Sequence, residues 1–234
     1  DYGVITSIAA AHLDGFGSIE NIENEKKSIL NHSTKKFNFH EKKPNSLAIN
    51  FKEDKSNIFI KNLEIASHVV NDIFNDSNFP NLNGDLLINC LESFKMPPGR
   101  GEILSLNKFK IIDDSYNANP ESVKAALDHL SGFQECRKFF VFGDMKELGA
   151  NEEILHKKVG QYAVGKTDIL LTVGKLAKNA QSNSNNFALS LHFNDNFSLL
   201  EKLNELLTDG DIVLIKGSRS MQLDQLINEL KNVK

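Results

Sequence analysis

Tryptophan is absent from the 234 residues, and cysteine, methionine, tyrosine and proline are scarce at two, three, three and five copies. Cys90 and Cys136 stand far apart and in no CxxC spacing, so neither a disulfide framework nor a zinc knuckle is signalled. A reducing, cytoplasmic setting is expected. No apolar run approaches the roughly 18–20 residues that a membrane helix needs, and the N-terminus lacks a charged stretch followed by an apolar one. The protein is therefore expected to be soluble, unexported and without membrane insertion. An excess of one charge is also lacking: 27 Lys and Arg face 31 Asp and Glu, a formal net charge of -4. Such a chain has no long-range pull toward nucleic acid or anionic lipid, and small molecules are the expected partners of a monomer.

What is present is ordinary globular composition, 40% hydrophobic and 25% charged, enough for one large or two modest domains. The chain opens on Asp1 rather than Met, and Gly3-Val4-Ile5-Thr6-Ser7-Ile8 reads as a strand already under way, so the chain is expected to be cut from something longer. A turn-rich loop, Ala9 to Gly17, leads to Ser18, which can cap a helix with Ile19, Ile22, Ile29 and Leu30 at near-helical spacing. Leu47 to Phe51 and Asn57 to Ile60 look like short strands. Leu63 to Phe74 and Asp85 to Phe94 read as helices, the second stopped by Pro97-Pro98-Gly99.

Beyond Arg100 the pattern becomes a regular alternation. Strands are expected at 109–113, 138–142, 169–173, 188–193 and 212–215, with helices at 120–130, 151–163, 175–181, 197–207 and 222–230 between and after them. Apolar strands alternating with amphipathic helices predict a largely parallel sheet covered on both faces. The first hundred residues make no such complete set and read as the tail of a preceding domain.

Ligands of open parallel sheets sit outside the carboxyl ends of the strands, which directs attention to three loops. Asp113-Asp114-Ser115-Tyr116-Asn117-Ala118-Asn119-Pro120 offers carboxylates and amides beside a helix N-terminus, suited to ribose hydroxyls, a base edge or metal-bound water. The same letters are also the usual vocabulary of a turn and a helix start. Gly143-Asp144-Met145-Lys146-Glu147-Leu148-Gly149 follows the next strand. Lys216-Gly217-Ser218-Arg219-Ser220 places a Lys and an Arg beside a Gly turn, suited to a carboxylate or phosphate, with a solvated turn as the equal alternative.

These three loops, the upstream Pro98-Gly99-Arg100 and the stretch Ile5 to Ser18 together resemble the MurF family of Mur ligases, the UDP-N-acetylmuramoyl-tripeptide:D-alanyl-D-alanine ligases. The Ser-Tyr-Asn-Ala-Asn-Pro string is similar to MurF rather than to the sister ligases, which carry His-containing versions there. The resemblance implies an α/β protein: the remnant of a Mur ligase central ATPase domain over residues 1–106, then a complete Rossmann-like C-terminal domain with a mostly parallel sheet over 107–234. It also implies ATP and Mg²⁺ as cofactors, and UDP-N-acetylmuramoyl tripeptide and D-alanyl-D-alanine as partners. ATP would phosphorylate the tripeptide carboxylate, and the dipeptide amine would attack the resulting acyl phosphate.

The same resemblance assigns residues. His12 is expected in the metal site and the catalytic centre, with Lys26 as the lysine that the family carbamylates. Arg100 would contact the γ-phosphate. Asp114 and Asn117 would face the ribose or base, with Asn119 in the same pocket. Ser218 and Arg219 would lie toward the dipeptide or the activated carboxylate, and Asp144 would border that cavity. The sequence departs from the family at Lys61-Asn62-Leu63-Glu64-Ile65, which keeps only the first Asn of a His-Asn-x-x-Asn helix, and at Ser28, where the family usually has Glu. The Gly-rich phosphate loop, its acidic magnesium ligand and the UDP-sugar domain are expected to lie before Asp1 rather than in these residues, so ligase activity is not expected of this chain alone. Two alternatives stand beside this reading: an eroded, non-catalytic nucleotide-binding module, or another amide ligase of the same superfamily.

Overall fold

The computed structural model describes residues 1–9, 13–41, 56–76, 89–90 and 93–232. The chain forms two compact units, Asp1–Ala9 with Phe16–Lys95, and Ala10–Gly15 with Met96–Lys234.

In the first unit β1 (Tyr2–Ile5) and β2 (Lys35–Asn38) pair in parallel, Tyr2 opposite Lys35 and Ile5 opposite Asn38, with α1 (Ile19–Asn31) as the crossover. Ser18 caps α1 as its sequence suggests: its hydroxyl accepts the Asn21 N–H at 3.1 Å. The strand expected at Asn57–Ile60 is instead the first turn of α2 (Asn57–Asp76). Ser56 starts it, accepting Phe59 N–H on its hydroxyl and Ile60 N–H on its carbonyl. Three apolar residues in a row carry no period of their own, and buried Phe59 and Leu63, four residues apart, complete a helical face. The strand expected at Leu47–Phe51 lies outside the described residues. Of the helix expected over 85–94, only 89–90, 93 and 94 are described.

The second unit is built on a six-stranded sheet of β3 (Glu102–Ser105), β4 (Lys110–Asp113), β5 (Lys138–Gly143), β6 (Ile169–Val173), β7 (Leu189–Phe193) and β8 (Ile212–Lys216), in the order β3-β4-β8-β5-β6-β7. Every pair is parallel except β3 with β4, an antiparallel edge that the sequence pattern did not signal. The central strands read as unbroken apolar runs because both faces are covered. On one face α3 (Pro120–Ser131) and α4 (Glu152–Ala163) bury Val123, Leu127, Leu130 and Val159 against Ile112, Phe140, Phe142 and Leu214. On the other, α5 (Asn196–Leu206) and α6 (Leu223–Asn232) bury Leu199, Leu203, Leu226 and Leu230 against Ile111, Phe139, Val141 and Val213.

Two expected helices change. The one placed at 175–181 is a 3-10 run, Ala177–Asn186, broken by Asn183 at φ -120°, ψ 34°. Its Ser and Asn side chains compete with the backbone for hydrogen bonds, which disfavours an α-helix. The last helix begins at Leu223, because Gln222 sits in the left-handed region at φ 52°.

Candidate functional site

The strand order matters more than any single strand. After β4 the chain goes outward through β5, β6 and β7, and β8 then returns to lie between β4 and β5. The carboxyl ends of β4, β8 and β5 are therefore neighbours, and so are the loops they release. This reversal of strand order is the place where open α/β sheets bind ligands.

The loop after β4 is tightly tied. Asp113 Oδ1 accepts both the Ser115 N–H (3.2 Å) and the Ser115 hydroxyl (2.7 Å). Tyr116 N–H donates to the Gly99 carbonyl at 3.0 Å, and Gly101 N–H to the Asp113 carbonyl at 2.7 Å. Gly99 sits at φ +76°, and a Cβ there would lie 3.0 Å from the Tyr116 nitrogen. Glycine is therefore required by both conformation and space. The turn so placed carries Arg100, whose guanidinium stacks 3.8 Å above the Tyr116 ring. Asn119 caps α3 in a reciprocal capping box: its Oδ1 accepts the Ser122 N–H at 2.8 Å, and its own N–H donates to Ser122 Oγ at 3.1 Å.

The loop after β5 turns on two buried groups. Asp144 Oδ1 accepts the N–H groups of Leu176 and Ala177 at 2.9 and 2.8 Å, which start the 3-10 run, while Oδ2 accepts Lys146 Nζ at 2.9 Å. His156 is fully buried; its Nε2 accepts the Met145 N–H at 2.8 Å, so the proton resides on Nδ1, 2.6 Å from the Glu152 carbonyl. Burial pushes this imidazole below its ordinary pKa, partly offset by the Glu152 carbonyl and the charge of Asp144, so the ring is held neutral. The loop after β8 is stitched to it: Ser218 N–H donates to the Asp144 carbonyl, and Lys146 N–H to Ser218 Oγ.

Between the three loops lies a cavity of about 310 Å³, lined in part by Asn117, Asn119, Lys146, Glu147, Ser218 and Arg219. It is rich in hydrogen-bond donors and carries both signs of charge.

This arrangement of loops has relatives. Residues 99–219 match the family described as "Mur ligase, glutamate ligase domain", and residues 1–79 match "Mur ligase middle domain". The chain belongs to the Mur ligase family. Among curated proteins, this Mur ligase chain is 35% identical over 149 residues to the UDP-N-acetylmuramoyl-tripeptide--D-alanyl-D-alanine ligase of Bacillus subtilis, covering 60% of this chain and 32% of that protein. The ligase of the same name from Rickettsia prowazekii is 32% identical over 140 residues, 59% of this chain and 31% of the relative. The matched part of this Mur ligase chain thus spans about a third of the length of these relatives. Among solved structures, the MurF ligase from Thermotoga maritima in complex with ADP superposes with a TM-score of 0.82 at 20% identity, over 99% of this chain and 62% of that one. A pseudomurein peptide ligase type C from Methanothermus fervidus gives 0.68 at 18%, over 98% and 63%. At those identities the superpositions establish the fold.

The structure gathers Arg100, Asp114, Asn117, Asn119, Ser218 and Arg219 of this Mur ligase chain at one end of the sheet. Asp144 lies beneath them, its carboxylate engaged on both oxygens. Arg219 is exposed and donates to Asp224 Oδ2 at 2.9 Å. Lys26 stands in the first unit, exposed, with Nζ 3.2 Å from the Ser7 carbonyl. His12 lies outside the described residues. Among the described residues no group of three or more His, Cys, Asp or Glu side chains could hold a metal ion. By themselves the described residues do not make an Mg²⁺ site.

Contrary to expectation, the letters of a phosphate loop do occur: Gly160 with Gly165-Lys166-Thr167 matches the G-x-x-x-x-G-K-T spacing. Its context is inverted. A phosphate loop runs from a strand into a helix, whereas this stretch runs out of α4 and into β6. Lys166 is paired with Asp128 at 2.7 Å and lies over the Tyr162 ring, and Thr167 Oγ1 donates to the Lys138 carbonyl. Its groups close a turn instead of cradling an anion. Lys216, which the sequence offered to a carboxylate or phosphate or else to a solvated turn, is neither solvated nor open to a ligand: it is buried against the Asp114 carboxylate.

Proposed function

We propose that this chain is the part of a MurF-type ligase that presents nucleotide and dipeptide to the reaction, in a protein adding D-alanyl-D-alanine to UDP-N-acetylmuramoyl tripeptide at the expense of ATP. Residues 1–106 would be the C-terminal part of the central ATP-binding domain and 107–234 the C-terminal domain. The observation that carries the reading is the meeting of Arg100, a partly exposed Asp114 carboxylate and the Asn117–Ser218–Arg219 cavity at adjacent carboxyl ends of β4, β8 and β5. That the curated relatives are ligases of this name adds the substrates.

A carboxylate resists attack by an amine until one oxygen becomes a leaving group. Transfer of the γ-phosphoryl group of ATP gives ADP and an acyl phosphate. The amine then adds to the carbonyl carbon, inorganic phosphate leaves, and the amine gives up a proton as the amide forms. The protein's task is to neutralise and position crowded anionic groups. In this reading Arg100 meets the γ-phosphate, Asp114, Asn117 and Asn119 hold the nucleoside, and Ser218 and Arg219 face the dipeptide or the activated carboxylate, with Asp144 shaping the cavity wall. His12 and Lys26 would serve Mg²⁺, Lys26 after carbamylation makes it an oxygen donor. The phosphate loop would come from outside these residues, so the isolated chain should not ligate. A cytoplasmic, monomeric ligase is part of this proposal; no described helix is long and apolar enough to cross a membrane.

The test is ligation by the full-length protein with UDP-muramoyl tripeptide, D-alanyl-D-alanine, ATP and Mg²⁺, beside Arg100→Ala. Amide formation that the variant loses supports the reading. A protein that binds nucleotide but forms no amide would instead be an eroded module, and turnover with another amino acid would move it to a sister activity.

A further inference from the structure

Lys216 closes β8, and its ammonium is sealed from solvent, with 2% of the side chain exposed. An amine so buried needs a counter-charge and hydrogen-bond acceptors. It has both on the neighbouring loop: Nζ donates to Asp114 Oδ2 at 2.7 Å and to the Asn117 carbonyl at 2.9 Å, across 102 and 99 residues of chain. Asp114 is pinned again by its own N–H, which donates to the Ile215 carbonyl at 3.1 Å. Yet its side chain remains 21% exposed, and among the described residues Oδ1 has no partner. One carboxylate oxygen is fixed from below while the other is left for a ligand.

We infer that Lys216 is a positioning residue for nucleotide binding: it does not touch the ligand, but fixes the Asp114 carboxylate and the Asn117 backbone so that Asp114 Oδ1 is presented to ribose hydroxyls. The inference rests on the nucleoside role proposed above for Asp114. It also separates Lys216 from Ser218 and Arg219, two and three residues away, which line the cavity directly.

The experiment measures ATP and 2′,3′-dideoxy-ATP binding by the full-length protein and by Lys216→Met, Lys216→Gln and Asp114→Asn, together with hydrogen exchange over 113–119 and the melting temperature. The wild type should prefer ATP by at least about tenfold, the worth of a hydrogen bond to a charged acceptor. Lys216→Met should lose most of that preference, raise exchange over 113–119 and leave dipeptide KM unmoved. Lys216→Gln, which keeps a donor, should recover part of it, and combining Asp114→Asn with Lys216→Met should cost no more than the worse single change. A preference retained in a folded Lys216→Met, or lost by both lysine variants only in proportion to melting temperature, overturns the positioning role alone. A wild type that binds ATP without preferring it overturns the role of Asp114 as well.

Discussion

The guanidinium carbon of Arg100 stands 3.8 Å from the centroid of the Tyr116 ring, and both side chains are exposed. The stack holds a long, flexible cation over the loop that carries Asp114, before any ligand arrives. Such a contact is worth about 0.5–1 kcal/mol at an exposed site, or roughly a two- to fivefold change in an equilibrium. Tyr116→Leu should therefore raise the KM for ATP of the full-length ligase by about that factor, and Tyr116→Phe should not. Equal KM values for all three proteins would show that the stack does nothing for the arginine.

Asn119 has two possible duties, and the structure separates them by atom. Its Oδ1 belongs to the capping box, while its Nδ2 has no partner among the described residues. Asn119→Ala should cost about 1 kcal/mol of stability through loss of the cap. Asn119→Asp keeps the acceptor and adds a negative charge that the helix N-terminus favours, so it should melt at or above the wild type. If the amide faces the nucleotide, this same variant raises the KM for ATP. A KM that moves only with Asn119→Ala, in step with stability, would leave the residue as a cap.

The β4-to-β8 alternation was legible because buried parallel strands must be written as apolar runs, and Phe139 to Phe142 and Ile212 to Ile215 are followed by Gly turns and set in a regular alternation with amphipathic helices, context that the Asn57–Ile60 run lacks. The three loops were legible for a related reason, since the turn residues follow those runs directly. Lys216 was not, because its partners are 99 and 102 residues away and only the insertion of β8 between β4 and β5 brings them near. β3 was missed because four residues paired at an edge, Glu102–Ser105, carry too little pattern to separate from a loop. The Gly165-Lys166-Thr167 match shows the converse: letters at the right spacing mean nothing when the helix precedes the turn.

Gly160 tests the packing of α4 against the Ala177–Asn186 run. A Cβ there would overlap the Ala180 carbonyl, main chain that cannot swing aside. On an open helix, Gly→Ala would gain about 1 kcal/mol. Overpacking costs about 1–3 kcal/mol, so steric conflict should win. Gly160→Ala is expected to lower the urea midpoint without changing the slope of the transition. A stabilised variant would mean that α4 and the Ala177–Asn186 run can part at little cost.

His156 links the loop after β5, whose Lys146 and Glu147 line the cavity, to pH. Its neutral ring accepts the Met145 N–H and thereby holds the loop from Asp144 to Leu148, with Asp144, Lys146 and Glu152 the charged groups that act on it and the Phe142 ring against its face. Its folded pKa is lowered, so the unfolded chain takes up the proton first as pH falls. The stability contributed by the neutral ring is complete above the unfolded value of about 6.5 and is lost as pH drops through the folded value. One such site gives a slope of at most about 1.4 kcal/mol per pH unit. His192 is shifted in the same direction and contributes with the same sign. Urea unfolding between pH 7.5 and 5 should therefore show stability falling toward acid, with a shallower slope in His156→Gln, which keeps an acceptor for Met145 but does not titrate. The variant should start lower at pH 7.5 and converge on the wild type at pH 5. Parallel curves across that range would assign the acid sensitivity to His192 or to the carboxylates instead.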